Sequence, residues 1–289
     1  MCKRYAPLLL ALALPVQLSA LDIDDYSSAT NDRFANDNSF VADAFDLSGV
    51  GRSSDGRWAT LLSENVFISA NHFHPSTSST VTFFETNDPN GPSLTLGVEK
   101  GQQIGSSDIW LGVLESPVSS GYTFYDYATE DISDSIQFAL SPYAGENSYM
   151  VGQSPSSFGN STNVAVGRNI LDDWFSNTTV ESTTDDAVAA TNDSSGDPNY
   201  VQYETLAVNF DSGAPLMVDL DGDGTGPLTL VGANWFVATD GSLTGMSYTG
   251  NHDEEIQSYI EANAIPEPGT GILLLIGGLP LLLRRRCTR

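Results

Sequence analysis

Ser212 stands between Asp211 and Gly213 in the stretch Asn209-Phe210-Asp211-Ser212-Gly213-Ala214-Pro215-Leu216. Apolar runs flank it, Thr205 to Val208 and Leu216 to Val218, a layout that reads as strand, tight turn, strand with the hydroxyl at the turn. A hydroxyl is a weak nucleophile and needs a base and an orienting acid. Asp-Ser-Gly is equally an ordinary turn, because Asp and Ser bond nearby backbone and Gly takes positive φ. The choice depends on partners elsewhere. Three histidines exist, His72, His74 and His252, and His72 follows the apolar strand Val66 to Ala70. A strand end delivers its side chain to the rim of a cleft. Asp108 opens a further apolar strand, Asp108-Ile109-Trp110-Leu111. Alone, each is as readily a structural histidine or a turn acid. Together, in the order His, Asp, Ser, they supply the residue types that activate a serine.

A second cluster is Asp219-Leu220-Asp221-Gly222-Asp223-Gly224. Carboxylates at alternate positions with a turn glycine match the opening of a calcium loop. The twelfth position, where a bidentate glutamate belongs, is Leu230, so this is no EF-hand. An acidic hairpin loop is the other reading. Three carboxylates in one turn repel unless neutralised, which is the case for a structural Ca²⁺ at Asp219, Asp221 and Asp223. The serine chemistry itself requires no cofactor.

These residues need a scaffold of strands. Helical periodicity is scarce and Gly, Ser, Thr, Asn and Asp abound in the 289 residues, which favours a β-rich fold with many turns. Strands are expected at Leu47 to Gly51, Trp58 to Ser63, Val66 to Ala70, Thr80 to Glu85, Ser93 to Val98 and Asp108 to Leu114. After a looser connector come Ser148 to Gly152, Val164 to Leu171, Leu216 to Val218 and Leu228 to Trp235. Residues 172 to 199 are rich in Ser, Thr, Asp and Asn and read as a long surface excursion. Asp253 to Ala262 has helical spacing, with three acids suited to a positive N-terminal end. The expectation is two β units and one terminal helix. Residues 21 to 44, polar and acidic, read as an extension or pro-segment.

Between residues 21 and 268 five bases face 37 acids, a formal charge of −32. Such a surface repels nucleic acid and anionic lipid. Cys2 and Cys287 are both terminal, so a chain trimmed at both ends has no disulfide and relies on core burial. Residues 1 to 20 have a basic start, an apolar run and a small-residue end, a secretory signal with cleavage expected after Ala20. At the other end, Ile265-Pro266-Glu267-Pro268, an apolar run from Gly269 to Leu283 and Arg284-Arg285-Arg286 follow one another. Fifteen apolar residues are short for a span of about 20, which suits a temporary anchor with its basic end cytoplasmic. This tail, 265 to 289, resembles the PEP-CTERM sorting signal of Gram-negative bacteria. That resemblance implies signal peptidase and an exosortase as processing partners, transient membrane anchoring, and delivery to the cell surface or extracellular matrix. A plain C-terminal anchor is the alternative.

The body, 45 to 264, resembles a trypsin-like serine protease of the chymotrypsin fold. Ser69-Ala70-Asn71-His72 matches the family's base block, Asp108-Ile109-Trp110-Leu111 its acid block and Phe210 to Leu216 its nucleophile block. Leu230 to Phe236 matches the strand before its specificity pocket, and Ile256 to Ile260 its terminal helix. The resemblance implies an all-β fold of two six-stranded antiparallel β-barrels with a C-terminal helix. It implies a triad of Ser212, His72 and Asp108 acting on protein or peptide substrates, with an oxyanion held by backbone N–H groups of Phe210 and Ser212. Leu206, Trp235 and Phe236 would line the specificity pocket. Phe236 stands where the family has glycine, and Leu206 offers no charge, so a small residue before the scissile bond is expected. Phe210 also replaces a glycine, which puts the oxyanion site in question and keeps open a protease-shaped surface protein that binds without turnover. Asp211 needs a cation if buried, and Arg168 is the expected one.

Overall fold

The computed structural model describes residues 20–156 and 161–264. The expected leader, up to residue 19, and the sorting tail lie outside the described residues. Among those described, no helix is long and apolar enough to cross a membrane.

Six strands form a closed antiparallel barrel: β2 (Val50–Ser53), β3 (Trp58–Leu61), β4 (Val66–Ala70), β5 (Thr80–Phe84), β6 (Ser93–Gln103) and β7 (Ile109–Leu114). Its ladder runs β2-β3-β4-β7-β6-β5 and returns to β2. The barrel interior holds Leu61, Phe67, Val81, Phe83, Val98 and Leu114. The short helix α1 (Ser28–Asn31) precedes the barrel, and after a connector containing the short helix α2 (Ser135–Leu140) a second sheet begins with β8 (Asn147–Gly152) and β9 (Ala165–Ile170). It continues with β10 (Asp173–Val180), β11 (Thr183–Thr191), β13 (Pro215–Val218), β14 (Thr229–Val237) and β15 (Leu243–Tyr248). A two-stranded pair, β1 (Asp22–Ile23) with β12 (Thr205–Leu206), lies outside that sheet. The terminal helix, α3, spans Asp253–Asn263.

The second unit has seven strands in one sheet, in the order β10-β11-β15-β14-β13-β8-β9, where six in a barrel were expected. Its end strand β9 is joined towards β11 and β12 by a side chain: Asn169 Nδ2 donates to the Thr191 carbonyl at 3.0 Å and to the Thr205 carbonyl at 2.9 Å. Within residues 172 to 199, expected as a loose excursion, residues 173–191 form the β10–β11 hairpin. Its polarity follows from position, because β10 is the edge strand and most of its side chains meet solvent. The strand β15 completes the sheet next to β14.

Alternation along the strands builds two cores at once. On β13, Leu216 and Val218 face the interior of the second unit, while Met217 faces a cluster shared by both units. On β8, Met150 points one way, and Tyr149 and Val151 the other. The shared cluster joins Trp58, Ile68 and Leu111 to Val166, Ala214, Leu230 and Ile256. The units are thereby fixed at the seam where the site lies.

Residues 21 to 45 do not hang off the body, as their polarity suggests. Leu21 and Ile23 are buried in the second unit, and Phe40, Ala42 and Phe45 in the shared cluster. Asn31 Nδ2 reaches the Val166 carbonyl at 3.1 Å in the second unit. Arg33, 1 % exposed, donates to the Val50 carbonyl at 3.2 Å and the Phe84 carbonyl at 3.0 Å in the first. Burial lowers its pKa to about 10, which still leaves it charged at neutral pH. The segment stitches the two units together.

Candidate active site

Strand pairing brings the base and acid side by side. Ala70 at the end of β4 is paired with Ile109 at the start of β7, so the residues just beyond, His72 and Asp108, meet. The Asn71 N–H donates to the Asp108 carbonyl at 2.6 Å and the His72 N–H to Asp108 Oδ1 at 3.1 Å. These bonds fix the carboxylate before the imidazole is considered. His72 Nδ1 lies 2.7 Å from Asp108 Oδ2, and His72 Nε2 lies 2.8 Å from Ser212 Oγ. Asp108 is fully buried, whereas the His72 side chain is 33 % exposed and faces the cleft.

Ser212 comes from the other unit, at the turn before β13. Gly213 has φ +83°, and a Cβ there would come within 2.6 Å of Ser69 Oγ and 2.8 Å of the Ala70 nitrogen. Only glycine allows the serine turn to dock so closely on β4. The Gly213 N–H is held by the Asn234 carbonyl at 2.9 Å. Phe210 adopts φ +77°, the left-handed region that glycine favours. It is held there from both sides of its own peptide. Its carbonyl accepts from Trp58 Nε1 at 3.3 Å and Gln153 Nε2 at 3.2 Å, and its ring packs 5.8 Å from that of Phe73. Among the described residues neither the Phe210 nor the Ser212 N–H donates to a protein acceptor.

Asp211 is wholly buried and accepts from the Gln153 N–H at 2.7 Å and the Val208 N–H at 3.0 Å. Burial pushes its carboxyl up to about 7, against the pull of those two donors and of the Arg52 charge. The cation acting on Asp211 is therefore Arg52, not Arg168 as expected. Arg52 is buried over the Trp58 ring at 4.7 Å and donates to the Asn163 carbonyl at 2.9 Å. Arg168 lies across from Tyr149 on the β8–β9 ladder and donates instead to Asn147 Oδ1 at 2.8 Å. Sequence offered five cations and no local rule for choosing among them, because Arg52 is 159 positions from Asp211.

The electrostatics of the pair favour the imidazolium form of His72. Burial pulls the His72 pKa down, but its hydrogen bond to Asp108, the Asp108 charge and the Glu181 charge outweigh this, and the net shift is upward. Burial pushes the Asp108 carboxyl up, while its contacts with His72 draw it down; the net shift is upward.

Ser212 and His72 open on a cleft of about 320 Å³. Trp235 and Phe236 line it. Leu206 does not: it is buried in β12 opposite Asp22, and Ala207, Val208 and Asn209 line the cleft in its place. Phe236 is paired with Gly245, and a Cβ on Gly245 would run into the Phe236 ring, so the ring lies flat across β15. The opposite wall is the tip of the β10–β11 hairpin, Val180, Glu181 and Ser182, with Glu181 at φ +51°. Trp235 Nε1 donates to Thr183 Oγ1 at 3.2 Å and ties that tip down. Sequence reasoning missed Glu181, Gln153 and Trp58. No periodicity marks them, since each acts on a residue far away in the chain.

One closed antiparallel barrel, a second antiparallel sheet packed on it and a C-terminal helix, with the cleft at the seam, make this the chymotrypsin fold. Among solved structures the chain is similar to a mutant of human heparin binding protein, with 14 % identity, a TM-score of 0.52, and coverage of 77 % of this chain and 95 % of that one. At that identity the likeness establishes the fold. No protein-family model and no curated protein matches the chain.

Proposed function

We propose that the chain is a serine endopeptidase. The observation that carries this reading is the unbroken relay Asp108 Oδ2, His72 Nδ1, His72 Nε2, Ser212 Oγ, at 2.7 and 2.8 Å. Ser212 Oγ attacks the scissile carbonyl while His72 Nε2 takes its proton. The Phe210 and Ser212 N–H groups receive the oxyanion. His72 then protonates the leaving amine, giving an acyl-enzyme, and a water activated by the same nitrogen releases the acid. Asp108 keeps the proton of neutral His72 on Nδ1 and stabilises the imidazolium.

Phe236 across Gly245 shortens the cleft beside Ser212 and favours a small residue before the scissile bond. The formal charge of −32 between residues 21 and 268 suits a secreted protein and opposes polyanions. The heparin named for the structural neighbour is therefore not the expected ligand. Export by signal peptidase and surface delivery by an exosortase-type enzyme follow from the two terminal segments.

A second reading is a surface binding protein without turnover. It draws on Phe210, 53 % exposed in a glycine-type conformation at the oxyanion turn. Fluorophosphonate labelling of the purified protein, beside Ser212→Ala and His72→Ala, separates the two. Labelling of the parent alone supports the peptidase. Absence of labelling in folded parent protein discards it for the binding reading.

A further inference from the structure

The connection between β13 and β14 carries Asp219, Asp221 and Asp223, and one carboxylate oxygen from each lies within 4.8 Å of the others. Asp219 is unlike its neighbours. It is only 5 % exposed, while Asp221 and Asp223 are open to solvent. Its Oδ2 accepts from the Gly224 N–H at 2.9 Å. Its Oδ1 is buried and, among the described residues, accepts no hydrogen bond. Buried polar atoms are nearly always paired, and a bare carboxylate oxygen is strongly disfavoured unless something positive meets it. No Lys, Arg or His among the described residues forms an ion pair with any of the three acids.

We propose that this loop is a calcium site in which Asp219 Oδ1 and the carboxylates of Asp221 and Asp223 ligate the ion. All donors are oxygens, with no imidazole or thiolate among them, which selects a hard cation over zinc. Magnesium demands a near-ideal octahedron and keeps its waters, whereas calcium accepts irregular oxygen shells. Asp219, Asp221 and Asp223 take the first, third and fifth places of a calcium loop, and Gly224, at φ +76°, the sixth. The twelfth place is Leu230, buried in β14, so no bidentate acid completes the shell from there. Three carboxylates plus backbone oxygens and water place the affinity in the weak range of extracellular modules, about 10⁻⁴–10⁻³ M.

The site sits at the far end of the strand that leaves the Ser212 turn. β13 pairs with β8, which ends just before Gln153, the donor to Asp211. Calcium would pin the β13–β14 hairpin and the strand under the nucleophile, without touching the triad.

The test is calorimetric titration of the EGTA-treated full-length protein with CaCl2 and separately with MgCl2, together with thermal unfolding. Expected are one calcium site, a Tm that rises with calcium, and magnesium binding at least about tenfold weaker. Asp221→Asn and Asp223→Asn, at exposed positions, should each weaken calcium binding about tenfold or more without preventing folding. Asp219→Asn, which keeps an oxygen for the Gly224 N–H, should abolish it. No heat and no Tm shift up to about 10 mM calcium, well above the expected range, would overturn the site. Calcium binding unchanged in the Asp221 and Asp223 variants would overturn it too, assigning the ion to general surface charge. Magnesium bound as tightly as calcium would overturn the choice of metal.

Discussion

Among the described residues, two clusters of Ser, His and Asp differ in which residue stands in the middle. In the cleft, His72 lies between Asp108 at 2.7 Å and Ser212 at 2.8 Å. In the second unit, Asp185 lies between His252 Nε2 at 2.8 Å and the Ser247 hydroxyl, which donates to the other carboxylate oxygen. Both aspartates are buried, and both histidines have their pKa raised. For His252, as for His72, burial acts downward and is outweighed by the hydrogen bond and charge of the aspartate. Only the first arrangement can move a proton from serine to a base. In the second, the hydroxyl donates to a carboxylate, a poorer base than an imidazole, and Ser247 is fully buried. Residue types do not make a site; the order of contact and access to solvent do.

Removing the middle residue of the first cluster should have the largest effect. His72→Ala or Ser212→Ala is expected to lower kcat/KM by about 10⁴-fold or more; Ser212→Ala should leave Tm nearly unchanged, whereas His72→Ala also lowers it by taking a partner from buried Asp108. His252→Ala should keep activity and cost about 1–3 kcal/mol, because buried Asp185 loses its one cationic partner and keeps the Ser247 hydroxyl and the Asp186 N–H. Denaturation and peptide hydrolysis measured on all three variants decide it; if His252→Ala abolished hydrolysis at full stability, the contrast between the clusters would be wrong.

A further comparison sets Arg52 against Arg168. Arg52→Met is expected to lower both Tm and activity, since it strips Asp211 of the nearby positive charge and frees the turn that carries Ser212. Arg168→Ala should spare activity. Equal losses in the two variants would return Arg168 to the role expected from sequence.

Stability should also report the state of His252. Its folded pKa lies above its unfolded value, so the charged pair contributes fully below the unfolded value of about 6.5, and that contribution is lost as pH rises through the folded pKa. The destabilisation by His252→Gln should therefore shrink from pH 5 to pH 9. A penalty that stays level with pH would mean that His252 contributes as a neutral hydrogen-bonding ring.

The smallest effect concerns Glu181 at the cleft wall. His72 must be neutral to accept the serine proton, so the acid limb of kcat/KM should fall above the ordinary imidazole value of about 6.5. Glu181→Gln removes a charge that favours the imidazolium and should move that limb to lower pH. A limb unmoved by the substitution would exclude Glu181 from the field at His72.

Much of the scaffold was legible in the chain. Val66–Ala70 is found as expected, and α3 differs from expectation by one residue, because apolar alternation and helical spacing are local signals. The approach of His72, Asp108 and Ser212 was legible through the order of their blocks. The β10–β11 hairpin was not, since an edge strand carries polar side chains and resembles a loop in composition. Nor was the burial of residues 21 to 45: Arg33 and Asn31 look like solvent residues until the carbonyls of Val50, Phe84 and Val166 are seen around them.

The sequence by itself determined the β-rich architecture, the acidic surface and the three residues of the relay, each announced by neighbours within a few positions. Only the tertiary structure decided that Arg52 rather than Arg168 serves Asp211, that Trp58 and Gln153 clamp Phe210, that Glu181 faces His72 and that Asp219 Oδ1 is sealed from water. The reason is one of range. Periodicity and turn chemistry act over a few residues, whereas burial, desolvation and charge pairing depend on which distant segments the packed seam brings together.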